Sequence, residues 1–285
     1  YNEGTARAHS SHALRHGYTG ADGEIGDLRH TYTSGTGENI LAKYSAFQVT
    51  VESEGSANPT PTGKVAFQDI LPASSLTYLR DLLVSRSGNP VYSTGAHVGV
   101  SKAIIHGLHS QASLSVETAI LAANGATLDE VKDKAYQLVN IIEGPSGSNY
   151  NVSFDDPGDG FGLLPYAADA KSVAEEVVVS NGDRVYIGRY APGVVDSADN
   201  VALWAGGARD KVLETIASSD LTEAIAKIEE AKTLLGHALS GLDSNEDGSI
   251  RAVAGEGGAA QVRTAAQDLA SFGTSSSVRV YNERA

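Results

Sequence analysis

Between about residues 95 and 272 the apolar positions recur every three or four residues, the period of a helix that buries one face. Helices are predicted at about 95–123, 127–143, 197–218, 220–240 and 257–272. Another is predicted where Leu76, Leu79, Leu82 and Leu83 share a face, with Ser74 or Ser75 as its N-cap. Residues 172–190 fit a helix or a small hairpin turning at Asn181-Gly182, and 172–179 is read as helix.

The first quarter of the chain has a different period. Apolar and polar residues alternate within 24–70, as at Phe47, Val49 and Val51 and again over 64–67, which predicts strands. Pro59 and Pro61 mark the hairpin loop 53–63 between the last two. Alternation returns at 277–281, where Val278 and Val280 share a face and no strand lies beside them in sequence. A lone strand leaves its backbone groups unpaired, so it must join a sheet. It has two choices: the N-terminal sheet of its own chain, or that of a neighbouring molecule, which would link copies into a polymer. The short connection after Phe272 favours the neighbour.

The helical region repeats. A shift of 97 residues lays 113–162 on 210–259 without gaps. Leu128, Val131, Leu138 and Ile142 fall on Ile225, Ile228, Leu235 and Leu239, and Gly144 falls on Gly241. Gly158 and Gly160 fall on Gly255 and Gly257. The region therefore reads as a duplicated helix pair, each copy closed by a Gly-rich acidic loop.

The second loop has the order of a calcium site. Asp243, Asn245 and Asp247 stand at positions 1, 3 and 5 of an EF-like loop, and Gly248 stands at the sharp turn of position 6. The Ser249 carbonyl is the next ligand. Position 12 is Ala254, so Glu256, two residues further on, is the closing carboxylate. The plainer alternative is a solvated Asp/Asn/Gly turn. In the first loop Ser146, Ser148 and Tyr150 replace the three leading ligands, and Asp155, Asp156 and Asp159 form a weaker candidate cation set.

Composition narrows the function. The chain has 285 residues and a net charge of −14, which argues against nucleic acid and anionic membranes as partners and suits divalent cations. There is no cysteine, which excludes disulfides and thiolate chemistry. No apolar run is long enough to span a membrane. Abundant Gly, Tyr, Ser and Thr suggest an exported protein, and the start at Tyr1 is read as a processed end. Asn151-Val-Ser153 is a lone glycosylation sequon.

Histidine offers two further metal candidates. His9, His12 and His16 share one helical face near the start, with His30 nearby, and the alternative is a solvated segment. His97, His106, His109 and His237 lie in the presumed bundle, where facing histidines can hold haem or metal. His106 falls on Leu203 in the repeat, which favours a satisfied core or boundary histidine instead. Trp204 is read as a packing anchor. No nucleophile elbow, phosphate-binding Gly-Lys loop or zinc-protease helix occurs, and the chain is read as non-enzymatic.

Several motifs carry a family resemblance. Gly37-Glu-Asn-Ile-Leu-Ala-Lys-Tyr44 and the strand after it resemble the late strands of a β-sandwich domain similar to the C-terminal domain of anti-sigma-K factors. Leu82-Leu-Val-Ser85, Val139-Asn-Ile-Ile-Glu-Gly144, Asp156-Pro-Gly-Asp-Gly-Phe-Gly-Leu-Leu-Pro-Tyr166 and the loop 243–258 look like the helical region that follows it in a group of uncharacterised exported bacterial proteins. Those proteins carry His-Ala-Glu-His where this chain has Asp133-Lys-Ala-Tyr136, a departure that weakens a metal or haem role.

The combined expectation is an α+β protein. A small antiparallel β-sandwich-like domain occupies 1–72 and is completed by the strand 277–283; a duplicated helical domain with EF-like calcium loops occupies 73–272; 273–285 is the C-terminal strand and tail. The expected function is that of a secreted or cell-surface structural protein, stabilised by calcium, that assembles with copies of itself through strand exchange. The alternatives are a helical-bundle metal or haem binder and an extracytoplasmic sensory or ligand-binding module.

Overall fold

The computed structural model describes residues 39–51, 63–85, 102–181 and 185–270. The chain divides after Leu71 into two compact units, the second of them Pro72–Gly273. In the first, a short 3-10 turn at Ile40–Ala42 precedes strands β1 (Ala46–Val51) and β2 (Lys64–Ile70). They pair antiparallel from Ala46 opposite Ile70 to Val51 opposite Lys64, with a shift of register between Val49 and Thr50 that marks a bulge.

This corrects the expected fold class. Among the described residues β1 and β2 form one two-stranded ladder and helices supply nearly all the rest, so the protein is a helical bundle and not an α+β sandwich. A sandwich needs two sheets to bury each other's faces, whereas the apolar residues here are overwhelmingly spaced for helices. The hairpin loop 53–62, the histidines at 9, 12, 16, 30 and 97, and the strand expected at 277–283 lie outside the described residues.

The second unit contains α1 (Ala73–Leu83), α2 (Ile104–Ala123), α3 (Leu128–Glu143), α4 (Leu163–Asn181), α5 (Val185–Ala217), α6 (Leu221–Ser240) and α7 (Ala259–Leu269). Three caps explain where helices begin. Thr127 accepts from Glu130 N while Glu130 reaches back to Thr127 N, a reciprocal box at the start of α3. Asp220 accepts from Glu223 N at α6. At α1 the expected serine cap is replaced by the Pro72 carbonyl, which accepts from Ser75 N and Leu76 N. Ser74 and Ser75 instead accept from Asn181 Nδ2, tying the end of α4 to α1.

Asn181 thus ends α4, and the next described residue, Val185, begins another helix. The first half of α4 and the first half of α5 escape the periodic reading, which gives helix there only over 172–179 and from 197, because small residues such as Ala167, Ala170 and Ala191 fill their buried faces. Short side chains let neighbouring helices approach closely and blur the contrast between faces. α5 runs for 33 residues and packs against α3, α4, α6 and α7. Its Pro192 lies on the exposed side, where water can satisfy the carbonyl that proline leaves without a donor. Tyr166 is fully buried with its ring where a side chain on Gly107 would stand.

The helices keep the repeat. The first copy is α2, α3, a loop and α4; the second is the latter half of α5, then α6, a loop and α7. Gly144 and Gly241 end α3 and α6 with the same backbone shape, φ 66° and ψ 177° against φ 85° and ψ 179°. Each donates its N–H to the carbonyl four residues back, at 2.8 Å.

Candidate cation loops

Each loop is held by a buried asparagine whose side chain works as a piece of backbone. In the first loop Asn140, on α3, accepts from Asn151 N at 2.8 Å and donates to the carbonyls of Asn151 and Phe154 at 3.0 and 3.1 Å. In the second Asn200, on α5, accepts from Gly255 N at 2.8 Å and donates to the carbonyls of Val253 and Gly257 at 2.9 and 3.0 Å. The two are not repeat equivalents, since Asn140 falls on His237 and Asn200 on Ala103. The copies therefore reached one solution from different helices.

Carboxylates add a second layer. Glu143 is buried and accepts from Asn149 N and Nδ2, both at 2.7 Å, with Arg209 Nε 3.6 Å away. Glu256 is only 3% exposed, and accepts from Asn245 Nδ2 at 2.6 Å and from Arg251 N at 3.2 Å. A buried carboxylate demands such partners. The closing residue chosen from sequence is thus brought to the loop's third position.

The rest of the second loop is a set of side-chain turns. Asp243 accepts from Asp247 N and, at 2.8 Å, from Gly248 N; Asn245 Oδ1 also accepts from Asp247 N. Ser249 directs its N–H and hydroxyl to Asp247 Oδ1, and Arg251 meets Asp247 Oδ2 at 2.7 Å. The Ser249 hydroxyl and N–H, with Arg251 and Asn245 behind them, hold the Asp247 carboxyl below its ordinary pKa. Glu246 and Gly248 take positive φ, 58° and 85°, which curls the segment around Asp243.

Among the described residues no three His, Asp or Glu side chains converge as a group able to hold a metal ion. The donor set of the second loop is mixed: three carboxylates, one amide and backbone carbonyls, the hard oxygen chemistry that calcium takes. Glu256 belongs to this set by type, and both its oxygens accept from protein groups, Asn245 Nδ2 and Arg251 N.

The first loop departs from expectation. Asp155 is exposed. Asp156 Oδ1 accepts from Gly158 N at 2.9 Å. Asp159 is already matched by protein groups: Lys102 Nζ at 3.2 Å, Tyr166 OH at 3.0 Å and Phe161 N at 3.2 Å. The three carboxylates expected to act together therefore serve separate purposes. Sequence reading also missed Asn140, Glu143 and Asn200. Their signal was present, since Asn140 interrupts the apolar run Leu138, Val139, Ile141, Ile142, where a polar residue must find partners.

Among the described residues His106, His109 and His237 join no group able to hold a metal ion. His106 is exposed, like its repeat partner Leu203 at 71%, and its Nδ1 pairs with Ser85 Oγ at 3.2 Å, as a histidine at the boundary of the bundle does. His237 stands edge-on to Trp204, centroids 5.8 Å apart, and Trp204 is buried. No helix of the described residues is long and apolar enough to cross a membrane. Comparison with protein-family models, with curated proteins and with solved structures found no match to this chain.

Proposed function

We propose that this chain is a non-enzymatic structural subunit, exported from the cell, whose helical unit is stiffened by calcium and which assembles with copies of itself. The observation that carries this reading is the use made of buried polar groups. Asn140, Glu143, Asn200 and Glu256 all turn their polar atoms onto the backbone or side chains of two loops. Such groups fix shape, and fixed shape is what a subunit of an assembly needs.

Asp243, Asn245, Asp247, the Ser249 carbonyl and Glu256 would hold the calcium. The ion would offset the crowding of their charges and tie the end of α6 to the start of α7. Assembly is assigned to strand addition. Among the described residues β1 and β2 form a two-stranded ladder, fewer strands than a sheet needs to be stable alone, and strand addition is a known way to complete one. The segment 277–281 of a second copy has the alternating pattern to supply it.

Sedimentation velocity and negative-stain microscopy test this on the full chain with calcium, with chelator, and after deletion of 277–285. The expected result is an assembled full chain and a monomeric truncated one with its helical circular dichroism intact. A full chain that is monomeric at every concentration refutes the assembly. Identical melting curves in calcium and chelator refute the calcium role.

A further inference from the structure

Arg251 touches the second loop at two places. Its backbone N donates to Glu256 Oε2 at 3.2 Å, and its guanidinium Nη2 donates to Asp247 Oδ2 at 2.7 Å. One residue thus joins the closing carboxylate to the aspartate nine residues before it, which is the link a cation in the loop would make. Among the described residues the donors to the other carboxylate oxygens of the loop are uncharged. Asp247 N and Gly248 N serve Asp243, the Ser249 N–H and hydroxyl serve Asp247 Oδ1, and Asn245 Nδ2 serves Glu256 Oε1. A carboxylate oxygen has two lone pairs, so an N–H and a metal ion share it without conflict. A guanidinium and a calcium ion at the same oxygen repel each other. The first copy of the repeat lacks both halves of the pair: Phe154 falls on Arg251 and Tyr150 on Asp247. Phe154 stacks on Tyr136, ring centroids 4.0 Å apart. Where the early carboxylates are gone the guanidinium is gone too, and aromatic packing takes its position.

We propose that Arg251 is the internal competitor of calcium in the second loop: its guanidinium holds Asp247 when no ion is bound and is displaced when the ion enters, and this exchange sets the loop's affinity. The inference rests on the calcium reading of the 243–256 loop given above. The arginine side chain is 62% exposed, so its guanidinium returns to water when it lets go of Asp247. An ion pair this exposed is weak, so the guanidinium shapes the loop without shutting the ion out. The backbone N of Arg251 has no part in the exchange. It keeps its bond to Glu256 and holds the closing carboxylate in place while the side chain swings away.

Calcium titration calorimetry on the full chain tests this, with circular dichroism to check that each variant is folded. Arg251→Gln removes the charge and is expected to bind calcium about three- to tenfold more tightly than the wild type. Arg251→Lys keeps a charge on a shorter stem and is expected to fall between the two. Melting gives a second readout. In chelator Arg251→Gln is expected to melt below the wild type, and in saturating calcium the gap is expected to close, because the wild-type guanidinium has then left Asp247 as well. The inference is overturned, and the calcium reading kept, if the wild type binds calcium and Arg251→Gln binds it no more tightly, or if the melting gap is the same in calcium and in chelator. If neither protein takes up calcium at up to about 10 mM, beyond the weakest sites of this kind, the calcium reading and this inference fall together. If Arg251→Gln alone takes it up, the inference stands and calcium binding by the wild type is refuted.

Discussion

Replacing Asn200 tests whether the loops are clamped as described. The side chain, 6% exposed, makes three hydrogen bonds to the second loop, two as donor and one as acceptor. Asn200→Ala leaves two carbonyls and one N–H without their partner. Val253 and Gly255 are exposed, so water can reach them and each loss costs about 1 kcal/mol. Gly257 is buried, and its orphaned carbonyl costs about 2 kcal/mol. The total is about 4 kcal/mol, or about 8–16 °C in melting temperature for a unit of this size.

Asn200→Asp sharpens the test. It keeps an acceptor for Gly255 N but sets a carboxylate oxygen against the carbonyls of Val253 and Gly257, so at pH 7 it is expected to be less stable than Asn200→Ala. Repulsion and burial raise the folded pKa of the introduced carboxyl above its unfolded value of about 3.9. The penalty is therefore present at neutral pH and shrinks as pH falls through the raised folded value. Urea denaturation followed by circular dichroism at pH 7 and pH 5 measures both effects. An Asn200→Asp protein as stable as Asn200→Ala at pH 7, or one with no recovery at pH 5, refutes the clamp.

Two further outcomes follow from the same structure. Gly241→Ala places a Cβ 2.4 Å from the Glu256 carbonyl oxygen at φ 85°, and it is expected to cost at least about 2 kcal/mol in urea melts, whereas alanine at Gly236, where a Cβ meets open space, is expected to be neutral or stabilising. Lys227 first and then Lys211 lowers the pKa of Glu214, and Lys211 first and then Lys227 lowers that of Glu230, so these carboxylates stabilise the fold above the ordinary glutamate pKa and lose that contribution as pH falls through the lowered values. Neutralising both lysines is expected to flatten that part of the acid limb in pH-dependent melts.

What was legible in the sequence was what period and glycine placement encode. Leu128, Val131, Leu138 and Ile142 announced α3, and the match of Gly144 to Gly241 announced the repeat, because both depend on local geometry. Of α4 only 172–179 was read as helix; its first half was obscured by alanines, whose small size weakens the contrast on which periodicity rests. The β-sandwich expectation failed for another reason: alternation identifies a strand but not how many strands it will join. In the second loop the spacing of Asp243, Asn245 and Asp247 was readable, and so was the return of Glu256 to the same loop, where it meets Asn245. The partners of Asn200 were not, since they lie 53 to 57 residues away and are brought to it only by helix packing.

The long helix α5 has a consequence for how this chain can change. Asn200 reaches the second loop, and nine residues later Arg209 approaches Glu143, which secures the first. Nine residues of helix are about 13 Å of rise and about two and a half turns, so the two side chains leave the rod on opposite sides. The helix acts as an axle whose angular setting decides that each loop meets its own fastener. Inserting or deleting one residue between positions 200 and 209 would rotate one fastener by about 100° relative to the other. Substitutions in that stretch can alter surface and packing, but its length is in phase with both loops at once.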